Sequence, residues 1–472
     1  MLKTLLDGQA KVTGNLLTAK ALLHPIRSIP DDVLSYIFSF CVQEVYDLIN
    51  KIVVHNSLDS RKPPWTLSQV CRSWRRVALS AAPLWKCLSL DFERYNAPEK
   101  LPLHSFMLGL HLQRARRHQL TIRLSSTTNI HSHVFLPILL TSMPHWKHLR
   151  VYVPSKTLIT FSTYGGYLES LHYLDAKTVT QDLFMSPIHT FQKTRSLRTL
   201  KINSTLCHYI CLPDSGNGLT DLTLCGPSVK HMFSVLGNAP NIKTLSVYFR
   251  VSNPFERLDL PIVMPKLTSL TIAEYKGAAP KSIIHLFESL ELPALFYLKI
   301  GCDRARGSKI DIKTGLIAFL ASISNLRHLS FAAKTVDKDV LSTLTRSNDN
   351  GDILPQLLTF DLRGSESIPK PKILLEMVES RQTHQGEGVV RLRKLQELYL
   401  DAPLAFDHSS WASRWQSLLR SGLINHHQFS EPSHMSGFHA LLFITSWLLA
   451  LQMTGLPSTF RISHIPLAEM SV

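Results

Sequence analysis

Cys207, His208 and Cys211 are the residues best suited to chemistry: two thiols and an imidazole close together, half of a zinc site. No second ligand pair follows at finger spacing, so no metal is expected. Nucleophilic and phosphate-handling chemistry lack their signatures too. The chain has no Walker loop, no dinucleotide glycine pattern after a strand, no His-Glu-x-x-His and no Gly-x-Ser-x-Gly. Its 22 histidines are dispersed, and only 20 glycines occur in 472 residues, too few to favour phosphate-cradling loops. A binding protein without catalysis or cofactor is expected.

What such a protein binds is constrained by charge. Fifty-one Lys plus Arg against thirty-five Asp plus Glu leave a net +16, which favours acidic protein faces, nucleic acid or anionic membrane. Hydrophobic content of 44% and charged content of 18% describe a chain with a large core and little disorder. Seven cysteines, odd in number and scattered through apolar segments, suit reduced thiols inside a cell. Asp7 and Lys11 interrupt the first apolar stretch and no cleavage signal follows, so cytoplasm or nucleus is expected.

Two pieces of sequence near the N-terminus organise the rest. Residues 9–23 have helical composition. Pro30 suits the first position of a helix, Asp31 and Asp32 complement its dipole, and Val33, Leu34, Ile37, Phe38 and Cys41 form one apolar face. Residues 45–64 then read as a polar loop ending in Pro63-Pro64. Thr66 and Gln69 have the spacing of a capping box, with Trp65 placed to staple onto Val70. The spacing predicts a helix with Leu67, Val70, Cys71, Trp74, Val77 and Ala78 buried and Arg72, Arg75 and Arg76 wet.

The run Ile29-Pro30-Asp31-Asp32-Val33-Leu34-x-x-Ile37-Phe38, then Leu67-Ser68-Gln69-Val70-Cys71-Arg72-x-Trp74-Arg75-Arg76-Val77-Ala78, then Pro83-Leu84-Trp85, resembles an F-box, most closely those of mushroom-forming fungi. The lead-in Leu22-Leu23-His24-Pro25-Ile26-Arg27 is similar as well. Two departures are a longer inserted loop, about 43–64, and Ile29 in place of the commoner Leu; neither removes an apolar contact. The resemblance implies docking on a Skp-type adaptor, and through it a cullin, within a ubiquitin ligase. It makes Pro30, Leu34, Ile37, Phe38, Leu67, Val70, Cys71 and Trp74 the expected contact and support positions. A region this small also buries little surface alone, so part of its apolar face should seek a partner.

Downstream, a Leu-x-x-Leu-x-Leu phrase recurs. Its copies begin at Trp146, Leu197, Leu219, Ile242, Leu267, Leu295, Leu326, Leu357 and Leu395, with weaker ones at Trp85 and Leu168. From Leu197 to Leu326 the copies start 22, 23, 25, 28 and 31 residues apart. A period near 20–29 residues with this core is that of leucine-rich repeats, each pairing a strand with a covering helix. The expected fold is therefore α/β: a small N-terminal helical F-box followed by an irregular leucine-rich-repeat solenoid. Its parts would be a lead-in helix (1–24), the F-box-like region (25–92), the repeats (93–403) and a C-terminal cap or tail (404–472).

Alternation within each strand points His148, Arg150, Tyr152, Lys201, Tyr248, Tyr297, Lys299, His328 and Tyr399 away from the core. They form a polar, aromatic and basic surface expected to bind a protein substrate. His111-Arg114-Arg116-Arg117-His118 reads as a solvated helix face; without interleaved aromatics it gives no case for nucleic acid. Residues 438–456 carry no Asp, Glu, Lys or Arg and have the length of a short membrane span, although His439 and Gln452 favour a buried helix. The function expected is a non-catalytic substrate receptor of a Skp-cullin-F-box ligase; the alternative is a free-standing leucine-rich scaffold for acidic proteins or RNA.

Overall fold

In the computed structural model the chain divides into two compact units, residues 1–427 and 428–472. The structure describes residues 2–427 apart from 23–28, 51–55, 163–167, 180–187, 190, 203–205, 207–209, 212–217, 227–228, 250–260, 275–285, 303–312, 333–337, 347–352, 364–370, 384–392 and 401–408. The apolar stretch 438–456, with Cys207 and His208, lies outside the described residues. Among the described residues no helix is long and apolar enough to cross a membrane, and no three His, Cys, Asp or Glu are placed to hold a metal ion.

The fold is α/β with a large parallel sheet. Its described strands are β1 (Cys87–Asp91), β2 (Leu120–Ser125), β3 (Trp146–Val153), β4 (Tyr173–Thr178), β5 (Thr199–Ile202), β6 (Asp221–Cys225), β7 (Thr244–Phe249), β8 (Ile262–Val263), β9 (Ser269–Glu274), β10 (Leu290–Glu291), β11 (Tyr297–Cys302), β12 (His328–Ala332), β13 (Thr359–Asp361), β14 (Glu397–Leu400) and β15 (Ile424–His427). Thirteen of them form one sheet in chain order, β8 and β10 pairing separately. Because each strand follows its neighbour in sequence, the arrangement is solenoid-like, and every nearest-neighbour pairing is a one-repeat step.

Each copy of the leucine phrase leads into a strand except the weak one at Leu168, which starts three residues early, the strand β4 carrying Leu174 and Ala176; the register explains why the phrase repeats. Leu88, Ile122, Leu149, Leu174, Leu200, Leu222, Leu245, Leu270, Leu298, Leu329, Phe360 and Leu398 stand side by side across twelve strands. None of them is more than 1% exposed. Burying one such side chain contributes about 1.5–3 kcal/mol, so the stripe is a main source of stability. A second ladder lies just before the strands, where the Arg198 amide donates to His172, Thr220 to Arg198, Lys243 to Thr220 and Thr268 to Lys243. It joins successive repeats through backbone alone.

Helices on the buried side close the core. Val229–Gly237 contributes Phe233, Val235 and Leu236, and Lys313–Ser322 contributes Leu316, Phe319 and Leu320. Pro371–Thr383 contributes Leu374, Leu375, Met377 and Val378. Beyond Pro403, the helix Ser409–Arg420 buries Trp415 and Leu418, but it does not end the sheet. β15 adds a further strand beside β14, so the sheet extends past the expected limit at residue 403.

The N-terminal helices are α1 (Leu2–Leu22), α2 (Asp31–Asn50), α3 (Arg72–Ser80) and α4 (Leu101–Ala115). α1 is longer than the predicted 9–23 segment, and its side chains from Lys3 to Leu16 are exposed. Pro30 stands one place before the first turn, its carbonyl accepting the Leu34 amide at 2.9 Å, while Asp31 and Asp32 occupy the positive end. α2 runs to Asn50, well into the predicted loop.

Two local expectations fail. Thr66 does not cap a helix: Thr66–Gln69 is a single 3-10 turn without a side-chain cap, and α3 begins only at Arg72. Trp65 does not staple onto Val70 because the core claims it. Its indole donates to the Ser57 carbonyl at 2.7 Å and meets Trp85 edge to face at 4.9 Å. The described end of the inserted loop is likewise built in. The Ser57 amide donates to the Ser89 carbonyl at 3.0 Å, and the Ser89 amide donates to the Ser57 hydroxyl at 2.8 Å. These bonds cover the outer edge of β1, and Leu58 is 2% exposed.

Candidate functional site

The first candidate is the outer face of α2. Helical geometry carries i and i+4 on one face, so Leu34, Phe38 and Val42 go inward together, at 1%, 0% and 5% exposure. Phe38 meets Trp74 of α3 at 4.9 Å, and Arg76 reaches Asp31 at 2.8 Å, fixing the two helices against each other. Val33, Tyr36, Ile37 and Phe40 are left on the outer side at 43%, 66%, 39% and 46%. Tyr36 and Phe40 touch edge to face at 4.7 Å, which makes a continuous aromatic surface. Four large apolar side chains on two turns of helix are a strong signal of an unfinished interface.

The eight expected contact positions therefore divide. Pro30, Ile37 and Val70 are exposed and free to touch a partner, Val70 at 60% although it was expected in the core. Cys71 and Trp74 are half-buried, whereas Leu34, Phe38 and Leu67 are core and can only support. Tyr36 and Phe40 were missed. Their sequence signal was an apolar residue at eight of the ten positions 33–42, too many for one face alone.

Behind this face, the reading of 111–118 as a wet helix side fails at its first half. His111 is 0% exposed, its ring 5.3 Å from Trp85. The Arg114 guanidinium lies 4.8 Å from the Trp65 ring and 4.5 Å from the Trp85 ring, and burial lowers its pKa. Such cation–π stacking suits a guanidinium, which is weakly hydrated. The cluster joins α4, the Trp65 turn and Trp85 at the head of β1, and residues from Leu34 to Leu423 belong to one continuous core. Arg116, Arg117 and His118 are exposed, as expected.

The second candidate is the open face of the sheet. All nine expected residues project there, half-buried or exposed, in strict alternation with the leucine stripe. They do not gather in one place. His148, Arg150, Tyr152 and Lys201 occupy β3–β5, while Tyr297, Lys299, His328 and Tyr399 occupy β11–β14. Between them Thr223, Ser246 and Thr271 lie in register as a low row of hydroxyls, beside a second row of Thr199, Asp221, Thr244 and Ser269 in which Asp221 is a carboxylate. Tyr248 rises at its edge.

In the first group Arg123, Arg150, Asp175 and Lys201 occupy one register row on β2–β5. Arg150 donates to the Tyr173 hydroxyl oxygen at 2.9 Å and faces Asp175 at 3.6 Å, while Lys201 lies 5.6 Å from the Tyr173 ring centre. Burial, then the Arg150 charge beside it, lowers the pKa of Arg123. His148 shares a hydrogen bond of 3.1 Å with the Thr121 hydroxyl, and burial holds its imidazole below the usual range.

In the second group Arg363 donates twice to Asp361 at 2.9 Å, and Ser330 donates to the same carboxylate at 3.3 Å. Burial works to raise Asp361, but the Arg363 bonds outweigh it and hold the carboxyl low. Tyr399 lies between Arg363, 4.4 Å from its ring centre, and His426, stacked at 4.3 Å; its hydroxyl donates to Glu397 at 3.2 Å. Arg123, which the sequence placed only as the end of the basic run from His111, joins this row on the open face, and Tyr173, Asp175, Arg363 and His426 carried no signal. Tyr173 and Asp175 lie on β4, whose phrase Leu171-x-x-Leu174-x-Ala176 starts three residues after Leu168, and Arg363 lies just past its strand.

No family model matches this chain, and no curated protein matches it. Among solved structures, the crystal structure of a protein from Bacteroides fragilis is similar over 63% of this chain and 69% of its own, at 14% identity and a TM-score of 0.32. A likeness at that level carries no argument about function.

Proposed function

We propose that this protein is a non-catalytic substrate receptor of a Skp-cullin-F-box type ubiquitin ligase. The α2 region is an F-box that docks on the Skp-type adaptor, and the sheet is an irregular leucine-rich-repeat solenoid whose open face holds the target. One observation carries the reading: Val33, Tyr36, Ile37 and Phe40 stand exposed on a helix whose opposite face is locked into the core. The mechanism is proximity, since holding a target raises the effective concentration of its lysines near the ubiquitin donor. The test is co-purification of the full chain with the adaptor. A Tyr36→Ala/Ile37→Ala/Phe40→Ala variant that folds but retains full adaptor binding would sink the docking face.

The charge of +16 and the exposed Arg116-Arg117-His118 turn favour a second reading, a free-standing scaffold for acidic proteins or RNA. Strongly salt-dependent RNA binding together with no adaptor in pull-downs would select it.

A further inference from the structure

Arg123 and Arg150 are direct neighbours across β2 and β3, two like charges side by side with Asp175 next in the same row. Lys201 lies in the same row two strands on, and Lys177 projects exposed from β4, one row further along. Strands are about 4.8 Å apart, so Arg123 and Lys201 are separated by about 14 Å, with the Tyr173 ring between. An extended peptide advances about 3.3 Å per residue, so this distance matches acidic side chains about four residues apart. Beyond Lys201 the hydroxyl row Thr223, Ser246 and Thr271 on β6, β7 and β9 leaves room for a backbone to continue across the strands.

We infer that this row is a binding site for an extended acidic peptide segment of the target, with carboxylates at Arg123/Arg150 and at Lys201/Lys177 and an uncharged stretch over Tyr173. The inference rests on the open face being the target surface. Asp175 lies in the middle of the row, 3.6 Å from Arg150, and Asp221 follows on β6, so a continuous polyanion such as RNA would meet two carboxylates. An acidic peptide with spaced charges avoids both.

The test titrates the isolated full chain, without adaptor, against a fluorescein-labelled peptide of about a dozen residues with glutamate pairs about four residues apart in a Ser/Ala background. Arg123→Gln and Lys201→Gln are each expected to weaken binding by about fivefold. Lys338→Gln, exposed at the start of the helix Lys338–Leu344 and away from the open face, should leave it unchanged. A version with all glutamates contiguous should bind more weakly. Equal losses in all three variants would mean attraction by net charge alone and overturn the site. So would absence of binding, or single-stranded RNA that binds more tightly with the same sensitivity to the variants. Failure here leaves adaptor docking standing, and failure of adaptor docking leaves this result intact.

Discussion

Replacing Tyr36 and replacing Phe38 by alanine should give opposite outcomes although the two are a turn fraction apart on α2. Phe38 is 0% exposed against Trp74, so Phe38→Ala removes a packed ring and costs about 3–5 kcal/mol of stability. Tyr36 is 66% exposed, so Tyr36→Ala should change stability by no more than about 0.5 kcal/mol. For adaptor binding the order reverses. An aromatic side chain presents about 200 Å², of which roughly half remains open on Tyr36 and Phe40, so docking can bury on the order of 100 Å² from each, about 2.5 kcal/mol. Ordering costs reduce that figure, and a loss of about 1–2 kcal/mol, roughly 5- to 30-fold in Kd, is expected for Tyr36→Ala or Phe40→Ala. The assay is titration calorimetry against purified adaptor, paired with urea unfolding of each variant. Tyr36→Ala that unfolds as readily as Phe38→Ala would refute the assignment of faces; full-affinity binding by a folded Tyr36→Ala/Phe40→Ala double variant would refute the docking site.

Other outcomes follow from groups elsewhere. Arg381 is 1% exposed and donates to the carbonyls of Leu344, Ile353 and Leu354 at 2.9, 2.8 and 3.0 Å. Arg381→Leu leaves those carbonyls short of donors and should cost about 3–5 kcal/mol, with faster hydrogen exchange in β13 and β14 and little change in β2 and β3; uniform loss of protection would contradict it. Arg114→Gln removes the cation from between Trp65 and Trp85 and should cost about 1–2 kcal/mol in urea unfolding, an unchanged midpoint counting against the cluster as a structural joint. His104, His133, His148 and His328 have folded pKa values lowered by burial, so their contribution is full above the unfolded value near 6.5 and is lost as pH falls through the folded values. The urea midpoint should therefore drop between pH 7.5 and pH 5.5, and a midpoint that rises would reverse the sign of the argument.

Much of the sheet was legible because alternation is a local property. A Leu-x-x-Leu-x-Leu phrase can satisfy a strand only with its apolar side inward, and repeating it at a near-constant period forces the copies into register. The open-face residues follow from the same parity, which is why all nine project as expected. Their grouping does not follow, since it depends on which strands bring neighbouring rows together and on Asp361 and Arg363, joined at a strand end.

The N-terminal region shows the complementary limit. Sequence alone determined that a helix with a charged start follows Pro30, because dipole, proline and propensity act within a turn or two. It put Val33, Leu34, Ile37, Phe38 and Cys41 on one apolar face, and packing against α3, where Phe38 meets Trp74, buried Leu34 and Phe38 but left Val33 and Ile37 outside. The capping box at Thr66 and the wet face at His111 gave way for the same reason. Each local preference is worth about 1 kcal/mol, and burying Trp65 among Ser57, Trp85 and Arg114 outweighs it.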